Sequence, residues 1–359
     1  MKLIGTSDWH LHNFKDYANV GSGGINSRAQ WILYAIRQIL HYAHVYGIKH
    51  VLFAGDMFHQ RGKVEVSLYN AVYDTIEDFF YNYGVTVIMI PGNHDNIDNS
   101  DKPEFSFRKF SEIAWVVDDF DVIGVKSDLA GKVDVNVFCA PFVKNVKKTK
   151  DKLEEFANRA KNMPNSILMS HIGVTGGVTG KEHYALKDMY AIRELKPECY
   201  KYVVLGHYHT PQVLPGTRNA FYCGMPLQRD FNDEGSARGF FVMDTDKRCD
   251  IQFVEIPMTP KFISVEYNEK AKYDWNDMTG NFYKFSYKGH KELEKIASLM
   301  PEGALYKTVP RKEYKSTQRV NNVSVDMNFN TIVANWAKEF RPEAEDVGID
   351  ILNEVMTER

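Results

Sequence analysis

Five short motifs carry the side-chain types that bind metal ions. They are Asp8-Trp9-His10, Gly55-Asp56, Gly92-Asn93-His94-Asp95, His171 and Gly206-His207-Tyr208-His209. Carboxylate, amide and imidazole groups together form a mixed oxygen and nitrogen ligand set. Such a set suits Mn²⁺, Fe²⁺ or Zn²⁺, whereas oxygen ligands alone suit Mg²⁺ or Ca²⁺. The motifs therefore predict a transition-metal site.

The number of carboxylates and imidazoles is enough for two metal ions. Two ions about 3.5–4 Å apart need a bridging carboxylate, and they activate a water for in-line attack on phosphorus. Asp56 lies between the other two N-terminal motifs, so we expect it to be the bridge. The leaving oxygen needs a proton, and His94, beside the expected ligand Asn93, is the candidate donor. Taken alone, each motif is also typical of a surface turn, but all five in this order indicate one site.

Strand and helix patterns alternate in the first half of the chain and place these motifs at strand ends. Ser27 with Gln30 predicts a capping box at the start of the first helix, and Gly47 predicts its end. Because ligand sites form at the carboxyl ends of strands, we expect the motifs to share one edge of an α/β layered sandwich. The predicted strands are 2–7, 50–54, 85–90, 136–139, 166–170, 202–205, 220–223, 239–244 and 250–256, and the predicted helices are 27–46, 64–83 and 150–161.

Pro257 and Pro260 predict a domain boundary. Residues 1–256 would form the catalytic domain, and residues 261–320 a small α+β cap with a helix over 290–300. Residues 325–359 contain two helical patterns, 329–340 and 343–356. The net charge is −3, but residues 261–324 carry 12 basic and 8 acidic side chains, and residues 325–359 carry 3 and 8. The basic middle block is a candidate for binding an anionic polymer, although a solvated surface explains such imbalances as well.

Bulk composition excludes several classes of protein. Hydrophobic residues make up 44% and charged residues 25%, as in a soluble enzyme. No apolar run approaches the roughly 18 residues that cross a bilayer, so we expect no membrane association. Four widely spaced cysteines and the lack of a signal-peptide pattern predict reduced thiols in a cytoplasmic protein.

The order of the motifs resembles that of the calcineurin-like metallophosphoesterases, with a four-layer α/β sandwich. Ser7–Leu11 (SDWHL) and Gly55–His59 (GDMFH) further resemble the SbcD nucleases of bacteria or their phages and their meiotic-recombination counterparts. Protein serine/threonine phosphatases have instead an aspartate at the position of His59 and a glutamate at that of Asp95. The resemblance covers residues 1–256, and the remainder more loosely.

The resemblance implies a complete assignment of the site and its substrate. One metal ion would be held by Asp8, His10, Asp56 and His209, and the other by Asp56, Asn93, His171 and His207. His94 would assist the leaving group, and His59 would lie near the scissile strand. Members of the family use Mn²⁺, degrade double-stranded DNA ends 3′→5′, nick or open hairpins, form homodimers and act with an SMC-like ATPase of the SbcC type in recombination and repair.

Alternatives and unplaced segments remain at this point. A stand-alone phosphodiesterase of small nucleotides would need neither the cap nor the tail, and a non-catalytic DNA-end scaffold would be expected to lack a ligand. Residues 13–24 fit no pattern, and the glycine-rich residues 173–181 fail the requirements of a phosphate-binding Walker loop. Apolar residues of the tail lie on one helical face and would pack either on this chain or on the ATPase: Phe329, Ile332, Val333, Trp336 and Phe340.

Overall fold

The computed structural model describes residues 1–98, 100, 102–127, 131–178, 190–247, 249–275, 278–311 and 327–357. The chain divides into two compact units, Met1–Pro310 and Arg311–Arg359. In chain order the helices are α1 (Ser27–Val45), α2 (Val66–Tyr83), α3 (Val146–Ala160), α4 (Ile192–Leu195), α5 (His290–Leu299), α6 (Phe329–Phe340) and α7 (Glu345–Thr357). The strands are β1 (Lys2–Thr6), β2 (His50–Phe53), β3 (Thr86–Met89), β4 (Trp115–Val116), β5 (Asp121–Val125), β6 (Val135–Ala140), β7 (Ser166–His171), β8 (Tyr202–Gly206), β9 (Gln212–Val213), β10 (Ala220–Tyr222), β11 (Gly239–Asp244), β12 (Ile251–Glu255), β13 (Phe262–Glu266), β14 (Phe282–Tyr287) and β15 (Leu305–Pro310).

Two six-stranded sheets form the centre of the first unit. One has the order β12-β11-β1-β2-β3-β4 and the other β5-β6-β7-β8-β10-β9. β1 to β4 are parallel, as are β6, β7, β8 and β10, while β11, β12, β5 and β9 pair in the antiparallel direction. Each sheet is therefore mixed, with antiparallel strands at its margins.

Successive side chains of the strands point to opposite faces of each sheet, and both faces are covered, which produces four layers. In β2, Leu52 faces the other sheet, while Val51 and Phe53 face the helices α1 and α2. In β7, Met169 likewise faces the sheet interface, while Leu168 packs with α3 residues on the outer side. Because both faces of these strands are covered, they read as continuous apolar runs. The predicted α/β four-layer sandwich is confirmed.

The start of α1 corrects one local prediction. Asn26, not Ser27, is the N-cap, and its side chain accepts a hydrogen bond from the Ala29 amide at 3.0 Å. The Ser27 hydroxyl accepts instead from the Asn19 amide at 2.9 Å. The capping box was wrong because asparagine caps at least as well as serine, and the tertiary position of the preceding segment decides which one is used.

A third, parallel sheet with the order β13-β14-β15 forms the cap segment, residues 261–310. One face packs on α5 through Phe285 and Ile296, which are fully buried. Aromatic residues, including Tyr273, Trp275 and Tyr283, lie in or against this cluster. Residues 312–320 of the predicted cap lie outside the described residues, and the boundary near residue 257 stays a prediction.

The second unit contains α6 and α7. Asn328 caps α6 by accepting from the Thr331 amide at 2.8 Å, and the bounds of α6 match the predicted 329–340. Several large apolar side chains of the two helices are exposed: Phe329, Trp336, Phe340, Val347 and Ile351. Within the described part of the chain, no helix combines the length and apolar character needed to cross a membrane.

Candidate metal centre

The five motifs meet at the carboxyl ends of β1, β2, β3, β7 and β8. The amide of Asp8 donates to the Gly55 carbonyl at 2.8 Å, and the amide of His10 donates to the Asp56 carbonyl at 3.0 Å. These bonds extend the β1–β2 pairing past the strands and align the first two motifs. The structure therefore brings together all seven residues named as ligands from the sequence.

Four of these residues adopt a left-handed backbone conformation that non-glycine residues rarely occupy. The φ angles of Asp8, His10, Asp56 and His207 are 52°, 44°, 62° and 102°. Each such conformation costs of order 1–3 kcal/mol and persists only where the surroundings impose it. Its concentration at these strand ends indicates that the positions of the side chains are maintained at a cost in stability.

Two glycines allow the segments to approach each other closely. A Cβ atom on Gly92 would lie 2.5 Å from the Asp56 amide nitrogen, and one on Gly206 would lie 2.8 Å from Nδ1 of His171. Real Cβ contacts are longer than this. These two positions of the G-N-H-D and G-H-Y-H motifs must therefore be glycine for packing alone.

Asp8, His10 and His209 form the first group of donor atoms. Nε2 of His10 lies 3.0 Å from Nε2 of His209 and 3.9 Å from Oδ1 of Asp8. One donor atom from each of the three lies within 4.8 Å of the other two. The three side chains therefore point to a common position.

Asn93, His171 and His207 form the second group. Oδ1 of Asn93 lies 2.9 Å from Nε2 of His171 and 3.0 Å from Nδ1 of His207. The other ring nitrogen of His171, Nδ1, lies 2.7 Å from the Ala54 carbonyl oxygen, which only accepts. Nδ1 therefore carries the hydrogen, and Nε2 is the nitrogen available for coordination, as is usual where a second contact fixes the tautomer of a ligand.

Asp56 lies between the two groups. Its Oδ2 is 3.5 Å from Nε2 of His10 in the first group and 3.4 Å from Nε2 of His171 in the second. Oδ1 accepts a hydrogen bond from the His94 amide at 2.8 Å, which fixes the carboxylate orientation. A single carboxylate thus faces both sets of imidazoles.

Burial keeps most of these imidazoles in the neutral form that binds metal ions. It lowers the pKa of His207 to about 4 and the pKa values of His10 and His209 well below the usual range, with neighbouring positive groups adding to the effect. Burial also lowers the pKa of His171 and is the largest single effect, but the charge and hydrogen bonding of Asp56, the charge of Asp8 and the Ala54 carbonyl together outweigh it and raise this pKa to about 9. A metal ion binding at His171 would displace that proton.

The donor set fits divalent metal ions. Burial raises the pKa of Asp8 to about 7, which indicates a carboxylate in need of a compensating cation. Nδ1 of His10 is buried and has no hydrogen-bond partner among the described residues. Two groups that combine oxygen and imidazole nitrogen, joined by a carboxylate, are suited to first-row transition metals.

Comparison with known proteins agrees with this geometry. The family model for calcineurin-like phosphoesterases matches residues 1–211. The chain belongs to this family. The protein is therefore a metallophosphoesterase with residues that could hold divalent metal ions, as predicted from its sequence.

Three curated relatives of this phosphoesterase match most of its length. The D subunit of nuclease SbcCD from Staphylococcus epidermidis is 24% identical over 72% of this chain and 70% of that protein. Exonuclease subunit 1 of Enterobacteria phage T4 is 25% identical over 78% and 74%. DNA double-strand break repair protein Mre11 of Sulfurisphaera tokodaii is 24% identical over 75% and 74%.

His94 and His59 lie beside the metal-binding groups of the phosphoesterase. Their rings stack with centroids 5.6 Å apart, and the centroid of the His94 ring is 4.8 Å from that of His10. Nδ1 of His94 lies 2.6 Å from the His59 carbonyl oxygen, so this nitrogen carries a hydrogen. Burial lowers the pKa of His59 to about 4, and His94 adds to this. His10, His59 and His94 also each offer a nitrogen within 4.8 Å of the others.

Sequence reasoning missed the residues that hold the motifs in place. The Asp95 carboxylate accepts backbone hydrogen bonds from Asp56, Met57 and Gly92 at 2.8, 2.9 and 2.9 Å. Arg238 is buried, donates to the His209 carbonyl and forms an ion pair with Asp233 at 2.6 Å. The sequence contains a signal for the role of Asp95, since this residue completes a motif already recognised. It contains no such signal for Arg238, because nothing local in the sequence links it to His209.

Proposed function

We propose that this phosphoesterase is a Mn²⁺-dependent DNA nuclease that cleaves DNA ends and hairpins as a 3′→5′ exonuclease and an endonuclease. The observation that carries the proposal is the position of Asp56, whose Oδ2 lies 3.4–3.5 Å from an imidazole of each donor group. That arrangement is what a two-metal phosphodiester hydrolase requires.

We infer the ligand sets from the two groups. Asp8, His10, Asp56 and His209 would hold one ion, and Asp56, Asn93, His171 and His207 the other. Bound there, the ions would bind phosphate oxygens and lower the pKa of the attacking water. The mixed ligand set favours Mn²⁺ over Mg²⁺, which prefers oxygen ligands.

The residues of the chain would complete the reaction around these ions. The His59 carbonyl holds Nδ1–H of His94, so Nε2 is the nitrogen that would give a proton to the leaving oxygen. His59 would lie along the scissile strand, because its ring is stacked on that of His94. The hydrogen bonds that the Asp56 and Gly92 amides donate to the Asp95 carboxylate would hold these two segments in place while the phosphodiester is cleaved.

The names of the relatives support DNA as the substrate and a multi-subunit assembly. Two of them are called subunits, one of a nuclease and one of an exonuclease, and the third is called a double-strand break repair protein. We propose that this chain forms a homodimer and acts with an SbcC-type ATPase in recombination and repair. The exposed Trp336 and Phe340 on α6 support the tail as the ATPase-binding segment.

The test uses end-labelled duplex DNA with Mn²⁺, Mg²⁺ or Ca²⁺, with and without an SbcC-type ATPase. A chromogenic phosphodiester is measured in parallel, and Asp56→Ala is the control for contaminating nucleases. The proposal predicts that Mn²⁺ supports cleavage of both substrates by the wild type alone. Hydrolysis of the small diester without any cleavage of DNA would instead identify a phosphodiesterase of small nucleotides.

A further inference from the structure

Residues 13–24, which fit no sequence pattern, lie against the cap segment. Oδ1 of Asp16 forms an ion pair with Nζ of Lys307 at 2.7 Å. The Tyr17 ring contacts the rings of Phe282, Phe231 and Phe262 with centroids 5.7, 5.8 and 6.0 Å away. Together with Arg28 and residues 229–231, the segment and the cap line an open pocket of about 510 Å³, here called the cap pocket.

Arg28 connects two walls of this pocket. Its guanidinium is buried 4.9–5.3 Å from the ring centroids of Phe14, Phe262 and Phe282. It donates to the backbone carbonyl of Asp16 at 2.9 Å and to that of Arg229 at 2.7 Å. One side chain therefore fixes two walls of the pocket.

The pocket combines positive charge with aromatic surface. β14 and β15 pair Lys284 with Lys307, and paired residues of neighbouring strands point to the same face. Nζ of Lys284 lies 4.2 Å from the centroid of the Phe231 ring, and Nζ of Lys307 lies 5.1 Å from that of Tyr17. Each of these two aromatic rings thus has a lysine beside it.

Some of these cations remain available for a ligand. The two acidic residues of the lining are already engaged, Asp16 with Lys307 and Asp230 with Arg229. Among the residues that the structure describes, no carboxylate lies within ion-pair distance of Lys15 or Lys284. A ligand with an anionic group and a flat unsaturated ring would satisfy both features, and a nucleotide has both.

The pocket borders the metal centre. Phe14 lines it, and the Phe14 ring centroid is 4.9 Å from that of His59, whose ring stacks on His94. A volume of about 510 Å³ suits a small ligand, for which pockets measure about 300–1,000 Å³.

We propose that the cap pocket binds one unpaired nucleotide of the DNA strand being cleaved. Its base stacks on one ring of the Tyr17–Phe231 pair and meets the edge of the other, since the two rings are inclined by 62°, and its phosphate is held by Lys284 and Lys15. The proposal rests on the nuclease function proposed above and adds that an end is recognised by its unpaired nucleotide. A blunt, fully paired end binds more weakly for this reason.

The experiment measures binding of duplex DNA with a four-nucleotide 3′ overhang, in buffer without divalent ions, so that no cleavage occurs. 2-Aminopurine is placed at each overhang position in turn, because stacking on an aromatic ring quenches its fluorescence. The expected result is quenching at one position in the wild type. Lys284→Gln should weaken overhang binding about tenfold and abolish the quenching, as should Phe231→Leu.

Lys49→Gln is the matched control, since Lys49 is exposed and precedes β2 at the amino end of the sheet. It removes the same charge and should leave binding within twofold. Thermal unfolding checks both pocket variants, and Lys284→Gln carries the test if Phe231→Leu is unstable. Unchanged overhang binding and quenching in Lys284→Gln would overturn the pocket proposal. The proposed function would still stand in that case if the wild type cleaves DNA. Absence of DNA cleavage by a wild type that hydrolyses a chromogenic diester would overturn both.

Discussion

Asp95 should determine both the stability and the metal affinity of the centre without binding a metal ion. Oδ2 accepts hydrogen bonds from the amides of Asp56 and Gly92, and Oδ1 accepts from the amide of Met57. Asp95 is fully buried, so no water can replace these bonds. Asp95→Asn keeps the shape of the side chain but turns one acceptor oxygen into an NH₂ group.

The size of the effect follows from these three bonds. In the better orientation of the new side-chain amide, its oxygen still accepts the hydrogen bonds from the Asp56 and Gly92 amides. Its NH₂ group then faces the Met57 amide, which loses its acceptor. An unsatisfied buried donor costs about 1–3 kcal/mol. At about 2–4 °C per kcal/mol, the range for domains of 150–250 residues, Tm should fall by about 2–12 °C. Asp95→Ala removes these acceptor contacts together with the longer ones, at 3.4 Å, to the Phe58 amide and the Ser106 hydroxyl, and should lower Tm further.

Metal affinity should fall with stability, because the Asp56 carboxylate is positioned by the same loop. Loss of a supporting hydrogen bond typically weakens metal binding about 10–100-fold. Calorimetry with Mn²⁺ and thermal unfolding of the metal-free protein measure the two effects separately. Asp98→Asn is the control, since Asp98 is exposed and accepts from the nearby Ser100 amide. An Asp95→Asn variant with wild-type Tm and Mn²⁺ affinity would show that the backbone bonds of Asp95 do not organise the site.

The remaining predictions concern the proposed chemistry and partners. Asp56→Ala should lose both metal ions by calorimetry and all nuclease activity, and a tenth of wild-type activity would contradict the bridging role. His94→Ser should bind Mn²⁺ and DNA normally but cleave DNA roughly 10²–10⁴-fold more slowly in single-turnover assays. Loss of Mn²⁺ binding in this variant would identify His94 as a metal ligand. The logarithm of the DNA-binding constant should fall with that of the salt concentration by about 0.9 for each phosphate contact, and a flat titration would argue against backbone contacts. Trp336→Ala should weaken the free energy of binding to the ATPase by about 2 kcal/mol while leaving diester hydrolysis intact. Unchanged affinity would place the docking site elsewhere.

Local patterns in the sequence determined most of the elements and the composition of the site. The apolar run of Gly239–Asp244 and the helical spacing of Phe329–Phe340 predicted the bounds that the structure has. Five motifs after strands were enough to predict that their side chains meet, because parallel strands present their carboxyl ends on one edge. The family resemblance implied which of these side chains would bind metal. Short strands such as β4 and β9, of two residues each, were not predicted, since two residues carry no periodicity.

Only the tertiary structure decided what holds those donors and what surrounds them. The bonds of the Asp56 and Met57 amides to Asp95, the contact of Arg238 with the His209 carbonyl, and the choice of Asn26 over Ser27 as a cap all depend on segments that are not adjacent in the sequence. Residues 13–24 were uninterpretable because their partners, Lys307 and Phe282, lie more than 250 positions later in the chain. Periodicity records which face of an element is buried, whereas the pairing of two remote segments is set by how whole layers pack, and no local pattern encodes it.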